Sequence, residues 1–166
     1  MLNVFSFLAQ TTPGMPADNG WLALTAVILL SATAVIDAYT GRVPDVLILP
    51  GLLLVTAIEG FCIDWVFAGQ HLAMALAAGF LLYFVNEAWR YFTKHDAFGL
   101  GDAKWTMLAV SCFGPLPGFI AWALGAWLGL GWMGIIRLCR KPIARVHFAP
   151  FLLIGLLAGI YWLRLR

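Results

Sequence analysis

Charged residues are scarce in this sequence. Only 11% of its 166 residues are charged, whereas 63% are hydrophobic. Soluble globular domains contain roughly 25% charged residues, so a soluble globule is excluded. Disordered chains combine low hydrophobicity with high net charge, and both properties are absent here, so a disordered chain is excluded as well.

Cysteine and histidine are also rare, with three of each. Cys62, Cys112 and Cys139 lie in unrelated apolar contexts and form no C-x-x-C pair, which argues against a zinc site and a disulfide framework. The histidines are too scattered to suggest a metal, so we expect no metal and no other cofactor. A net charge of +2 with dispersed basic residues argues against a nucleic acid partner.

Long apolar runs fill most of the sequence. A bilayer-spanning helix needs about 20 mostly apolar residues, so six helices use about 120 positions and leave about 46 for ends and loops. We therefore predict an all-α, polytopic membrane protein, with an extracytoplasmic tail at residues 1–20 and a membrane domain at 21–166. A turn is predicted at 114–118, where two prolines and two glycines cannot continue a regular helix. The predicted spans are 21–37, 46–63, 71–92, 103–113, 119–138 and 148–163.

The basic residues lie mainly beside alternate connections between the predicted spans. Cytoplasmic loops carry an excess of Lys and Arg, which places the N-terminus outside and the odd-numbered connections in the cytoplasm. Arg164 and Arg166 at the C-terminus are the exception. The residues on the basic side are Arg42, Arg90, Lys94, Lys104, Arg137, Arg140, Lys141 and Arg145.

Most of the remaining polar and small residues have ordinary interpretations. Acidic residues in tails or loops are interpreted as solvated: Asp18, Glu59, Asp64 and Asp96. The histidines are interpreted as interfacial or structural: His71, His95 and His147. Tryptophans near predicted span ends are interpreted as a headgroup belt: Trp21, Trp65, Trp89 and Trp105. Glycines in the fifth span would let a neighbouring helix approach closely: Gly125, Gly129 and Gly131.

Asp37 and Asp102 differ from the other acidic residues in their depth. Asp37 ends the first apolar run, and Asp102 opens the short fourth one after Gly99-Leu100-Gly101. An ideal helix rises only about 24 Å from Trp21 to Asp37 and about 18 Å from Asp102 to Gly114, against a hydrocarbon thickness of about 30 Å. Both carboxyls are therefore expected below the cytoplasmic surface at similar depth, where an ionisable group indicates a functional site.

Two carboxyls that meet in a low-dielectric cleft titrate together, so one keeps a proton while the other acts as a base. Such a pair can activate water and protonate a leaving amine, which favours an intramembrane aspartyl hydrolase. Gly99 and Gly101 would then allow non-helical backbone and close approach of an extended substrate. A proton-coupled or cation-coupled transporter and a non-catalytic assembly subunit remain alternatives on these residues alone.

At these aspartates the sequence resembles the type IV prepilin peptidase family of membrane aspartyl proteases. Residues 37–45 (DAYTGRVPD), called here the first motif, are similar to the family's Asp followed seven positions later by Pro and an acidic or amide residue. Residues 98–104 (FGLGDAK), the second motif, are similar to its GxGD motif with a following Lys. Residues 146–152 (VHFAPFL), the third segment, are a weaker match to a Pro-Phe-Gly-Pro-like segment.

The resemblance implies a catalytic pair, Asp37 and Asp102, with Gly99 and Gly101 shaping the active-site loop. It implies that Pro44 and Asp45 set the turn beneath Asp37, and we expect Asp45 to cap the second span. Lys104 would bias the charge state of Asp102 or anchor the helix at the interface. The implied substrates are type IV prepilins or pseudopilins with a basic leader and a hydrophobic helix, cleaved at the cytoplasmic face of the inner membrane, with lipid as the surrounding partner.

The departures from the family pattern narrow the implied activity. His147 and Ala149 stand where the family tends to have Pro and Gly. The larger bacterial members carry paired C-x-x-C motifs and methylate the new N-terminus, whereas this sequence resembles the short, peptidase-only type found with Flp/Tad-type pili and in archaea. Presenilin-like proteases are a poorer match, because Asp37 follows Ile36 instead of Tyr and no later Pro-Ala-Leu segment is present.

Overall fold

The computed structural model describes residues 20–95, 98–139 and 147–164. Within these ranges the chain forms six α-helices and no strand, which confirms the all-α prediction. Residues 1–19 of the expected tail, the basic residues Arg140, Lys141 and Arg145, and Arg166 lie outside the described ranges. The helices are α1 (Gly20–Thr40), α2 (Asp45–Cys62), α3 (Trp65–Thr93), α4 (Leu100–Phe113), α5 (Pro115–Leu138) and α6 (Ala149–Arg164).

The helices differ in length and in apolar character. In the described chain, α2, α3 and α5 are long and apolar enough to cross a membrane, while α1 and α6 contain shorter apolar stretches at 24–40 and 149–162. At 14 residues, α4 is the shortest. Its side chains are mostly buried, because α4 packs against all five other helices. The helix that carries Asp102 is therefore the centre of the bundle.

The predicted turn at 114–118 is wrong in its extent. Only Gly114 lies outside a helix, with φ +81° and ψ 173°, a conformation that glycine adopts without strain. Pro115 and Pro117 belong to the first turn of α5. Proline is tolerated there because the first N–H groups of a helix have no intrahelical acceptor.

The placement of Trp105 in a headgroup belt is also wrong. Its side chain is 0% exposed, and it packs in the core with Leu30, Leu108 and Leu152. The indole N–H donates to the Leu30 carbonyl at 3.4 Å. Since α4 packs against five other helices, a span-end position in the sequence does not bring Trp105 to the surface.

The interface between α5 and α6 depends on glycines from both helices. A Cβ atom at Gly125 would lie 2.9 Å from Leu152 Cδ2, and one at Gly129 would lie 3.0 Å from Phe148 Cε2, so close packing at both positions is confirmed. A Cβ atom at Gly131 would have no neighbour within 4 Å among the described residues, so the prediction is wrong there. On α6, a Cβ at Gly155 would lie 2.5 Å from the Ala121 carbonyl oxygen.

We expect Gly155→Ala to lower the free energy of unfolding by about 1–3 kcal/mol, because backbone must move to admit the methyl group. Gly131→Ala is the matched control, and its open surroundings predict an unchanged or slightly raised stability. Thermal unfolding in detergent would measure both. Equal stability of the two variants would contradict the close packing at Gly155.

Glu59 and His71 form a buried pair. The expectation that Glu59 is solvated is wrong, whereas the burial of His71 fits the structural one of its two expected roles. Glu59 is 0% exposed and His71 is 8% exposed. The Nδ1 atom of His71 lies 2.9 Å from Glu59 Oε1, which links the end of α2 to the start of α3. The sequence did not show that the two side chains meet. They do so because α2 and α3 are joined by a tight connection, at which the Asp64 side chain caps α3.

We expect His71→Ala to lower the free energy of unfolding by about 1.5–3 kcal/mol, because it leaves the buried Glu59 carboxyl without its hydrogen-bond partner. Replacing both residues by Leu should cost less than His71→Ala alone, since no polar group is then left unpaired. Thermal unfolding in detergent compares the two variants. If the double variant were less stable than His71→Ala, the pair would stabilise the fold by more than the hydrogen bond that each residue provides for the other.

Candidate active site

Asp37 lies in the last turn of α1, which continues to Thr40. The turn closes at Gly41, whose φ of +67° favours glycine and whose N–H donates to the Asp37 carbonyl at 2.7 Å. The Asp37 side chain is 6% exposed. Its Oδ2 atom accepts a hydrogen bond from the backbone N–H of Ala149 at 3.2 Å. The first residue of α6 therefore holds the carboxyl of Asp37 in place.

Asp102 is the third residue of α4 and is 8% exposed. The N–H of Gly99 donates to Asp102 Oδ2 at 3.1 Å, and the N–H of Asp102 donates to the Gly99 carbonyl at 3.0 Å. This reciprocal pair is the backbone form of a capping box. The preceding loop is tied to α3, because the N–H of Phe98 donates to Oδ1 of the buried Asn86 at 3.3 Å. Sequence reasoning gave Asn86 no role at the site.

The two aspartates lie at the same end of the bundle, where the first and second motifs contact each other. Asp37 lies in the last turn of α1 and Asp102 in the first turn of α4, so the two helices run in opposite directions at this end. Two ionised carboxyls that approach each other in a nearly buried site repel each other more strongly than they do in water. A pair of carboxyls is able to supply a general acid and a general base.

The two motifs contact each other through Gly101 and Val43. A Cβ atom at Gly101 would lie 3.0 Å from Val43 Cγ2 and 3.1 Å from Val43 Cβ. Gly101 is helical, so the expectation of non-helical backbone holds for Gly99 but is wrong for Gly101. At Gly99 the backbone is extended with φ −74°, which any residue adopts, and a Cβ would lie 3.3 Å from Asp102 Oδ2.

A second link between the motifs is an ion pair of Asp45 with Lys104, at 2.6 Å between Oδ1 and Nζ. The expectation that Asp45 caps α2 is wrong, because the N-cap residue is Pro44 and no side chain caps that end. The Lys104 and Asp45 side chains are 40% and 56% exposed, so the pair contributes little to stability, about 0–1 kcal/mol. Its partners lie 59 positions apart, so the pairing was not evident in the sequence.

The described part of the third segment, which begins at His147, also contacts the site. Ala149 supplies the N–H that binds Asp37. His147 lies against Gly41, where a Cβ atom would be 2.9 Å from the imidazole Cε1. The segment thus supports the first motif through backbone and ring contacts, while Val146 lies outside the described ranges.

Metal-binding side chains are dispersed through the described part of the chain, where no three His, Cys, Asp or Glu residues are grouped to hold an ion. Of the predicted loop and support residues, Gly99 lies against Asp102. The others line a pocket formed by both motifs: Pro44, Asp45, Gly101 and Lys104.

Comparison with known proteins agrees with the motifs. The model of the type IV leader peptidase family matches residues 24–163, a range that includes both aspartate motifs and the third segment. Searches of curated proteins and of solved structures returned no significant match.

Proposed function

The chain belongs to the type IV leader peptidase family, and on this premise we propose that it is an aspartyl endopeptidase that removes the leader from type IV prepilins or prepilin-like proteins. One observation carries the aspartyl assignment. Asp37 and Asp102, which are distant in the sequence, are nearly buried at the end of the bundle where the two motifs contact each other.

The proposed reaction is direct hydrolysis of a peptide bond without a covalent intermediate. One carboxylate of the pair takes a proton from a water molecule as the water oxygen attacks the carbonyl carbon. The other carboxyl, which carries the shared proton, gives it to the amide nitrogen as the C–N bond breaks. The proton taken from water remains on the pair, so the site is ready for another cycle after the products leave.

We further propose that the protein is a multi-pass inner membrane protein with the aspartates at the cytoplasmic face and the N-terminus outside. The described basic residues support this orientation, because Arg42 and Lys104 belong to the two motifs and Arg90 and Lys94 lie where α3 approaches the second motif. Cytoplasmic loops carry such an excess of Lys and Arg. A substrate with a basic leader in the cytosol and a hydrophobic helix in the bilayer would present its boundary at this depth.

The proposed activity is limited to peptide hydrolysis. The chain has three cysteines and no C-x-x-C pair, so it lacks the cysteine motifs of the members that also methylate. We therefore expect the mature substrate to leave with an unmodified N-terminus, as in the peptidase-only type that serves Flp/Tad-type pili.

The test is co-expression with a prepilin encoded in the same genome, followed by intact mass measurement of the prepilin. Loss of the leader at one bond, with no added methyl group, is the expected result. An unprocessed prepilin combined with proton-coupled uptake into vesicles would favour the transporter alternative. An unprocessed prepilin that co-purifies with the protein would favour the assembly subunit.

A further inference from the structure

A cavity of about 400 Å³ adjoins Asp102. Its walls come from α3, from the second motif, from α5 and from Phe148 just before α6. Asp102 is the one charged residue among the described residues that line it. The cavity therefore joins a candidate catalytic carboxyl to an otherwise apolar space.

The walls suit an apolar side chain. Phe98 and Trp122 meet edge to face, with ring centroids 5.7 Å apart, and Met133 adds a flexible thioether. An apolar protein cavity of about 150 Å³ already holds a benzene molecule. A space of about 400 Å³ thus admits a large aliphatic or aromatic side chain together with part of its backbone.

The rim of the cavity faces outward between α3 and α5. Val85 on α3 is 46% exposed and Leu130 on α5 is 59% exposed, and both line the cavity. The two helices make few direct contacts with each other, so among the described residues no close helix packing seals this side. In a bilayer, this opening would admit a hydrophobic segment from the lipid phase towards Asp102.

One polar group favours a polypeptide over a lipid acyl chain as the occupant. Asp102 is the charged residue among the described residues that line the cavity, and an acyl chain offers its carboxyl nothing to bind. A peptide backbone offers an N–H donor at each residue other than proline.

We infer that this cavity is a specificity pocket that binds a large apolar side chain of the substrate beside the cleaved bond, and that Ala126 and Met133 set the size of that side chain. The inference rests on the proposed leader-peptidase activity. Ala126 is the small wall residue at which added bulk would fill the pocket, while Met133 is a long one whose truncation would enlarge it.

The experiment measures kcat/KM on prepilin variants that carry Ala, Leu, Phe or Trp at each position flanking the cleaved bond. At the position that enters the pocket, Ala126→Phe should lower cleavage of the Phe and Trp substrates by about tenfold or more while preserving the Ala substrate. Met133→Ala should shift the preference in the opposite direction, towards Trp. Ala123→Phe is the matched control, because Ala123 is an exposed residue of the same helix that does not line the cavity.

The negative outcomes of this experiment can be distinguished from one another. If the wild-type protein cleaves no prepilin, the proposed function itself is wrong. If the wild type cleaves but neither pocket variant changes the order of preference for side-chain size, the inference is wrong and the cavity is a lipid-filled gap. An equal loss on every substrate in Ala126→Phe, with an unchanged order in Met133→Ala, also overturns it.

Discussion

Asp37→Asn and Asp102→Asn should each lower the rate of leader cleavage by at least about 1,000-fold. Asparagine keeps an oxygen that can accept the same N–H donors, from Ala149 at position 37 and from Gly99 at position 102. The fold of the site is therefore expected to persist, and the loss isolates the proton chemistry. The measurement is the initial rate of prepilin cleavage by purified protein in detergent or liposomes.

The double variant gives a sharper test of joint action. If the two carboxyls share one proton and work as a unit, Asp37→Asn combined with Asp102→Asn should be no slower than either single variant. Two independent contributions would instead multiply. Asp64→Asn is the matched control, because Asp64 caps α3 at the other end of the bundle and Asn is an equally good cap.

Retained cleavage in either single Asp→Asn variant would refute the paired-carboxyl mechanism. If both single variants failed to insert into the membrane, the two aspartates would have a structural role. Thermal unfolding and detergent extraction distinguish that role from a catalytic one. Proteolysis is the necessary readout, since an aspartate that relays protons in a transporter would also be sensitive to Asn.

The apolar pattern of the sequence was enough to predict the helices, because long hydrophobic runs have few alternatives to a helical bundle. Each of the six predicted spans overlaps one observed helix. The ends were less predictable: α3 begins at Trp65 instead of 71, since Asp64 caps it, and α5 begins at Pro115, since proline fits a first helical turn. Local capping decided these boundaries, and hydrophobicity did not.

The pairing of distant side chains was beyond the reach of the sequence. Glu59 was interpreted as a solvated loop residue, yet it binds His71 in the interior. Trp105 was placed at the headgroups, yet its helix is enclosed. A hydropathy pattern shows where a residue lies along a span but not which helices surround it, so burial at a span end depends on tertiary packing.

In the candidate site, too, some features could be predicted from the sequence and others depend on tertiary packing. Asp37 and Asp102 were found by depth and by motif, because an ionisable group within an apolar run has few structural explanations. The groups that position them were not found: the Ala149 N–H and the Asn86 side chain each act across a long sequence separation. The close contact of Gly101 with Val43 is the remaining connection, and it leads to a test.

Gly101→Val should lower leader cleavage at least about 100-fold, because side-chain atoms at position 101 would push against Val43 and separate the two motifs. A displacement of about 1 Å in a catalytic group can cost about 100-fold in rate. Gly101→Ala should give a smaller loss, since its single methyl carbon meets Val43 at 3.0 to 3.1 Å. The measurement is again the initial rate of cleavage, with thermal unfolding as the check on the fold.

Val43→Gly provides the rescue. It removes both atoms that a Cβ at position 101 would meet and leaves the backbone nitrogen of residue 43 at 3.6 Å, an ordinary contact. Activity of Gly101→Ala should therefore recover when Val43→Gly is added, up to the rate of Val43→Gly alone. If the double variant stays as slow as Gly101→Ala, the glycine is needed for close approach of the substrate and not for packing of the two motifs. The two roles thus predict opposite results for the same double variant, because only in the packing role does Val43 obstruct the added methyl group.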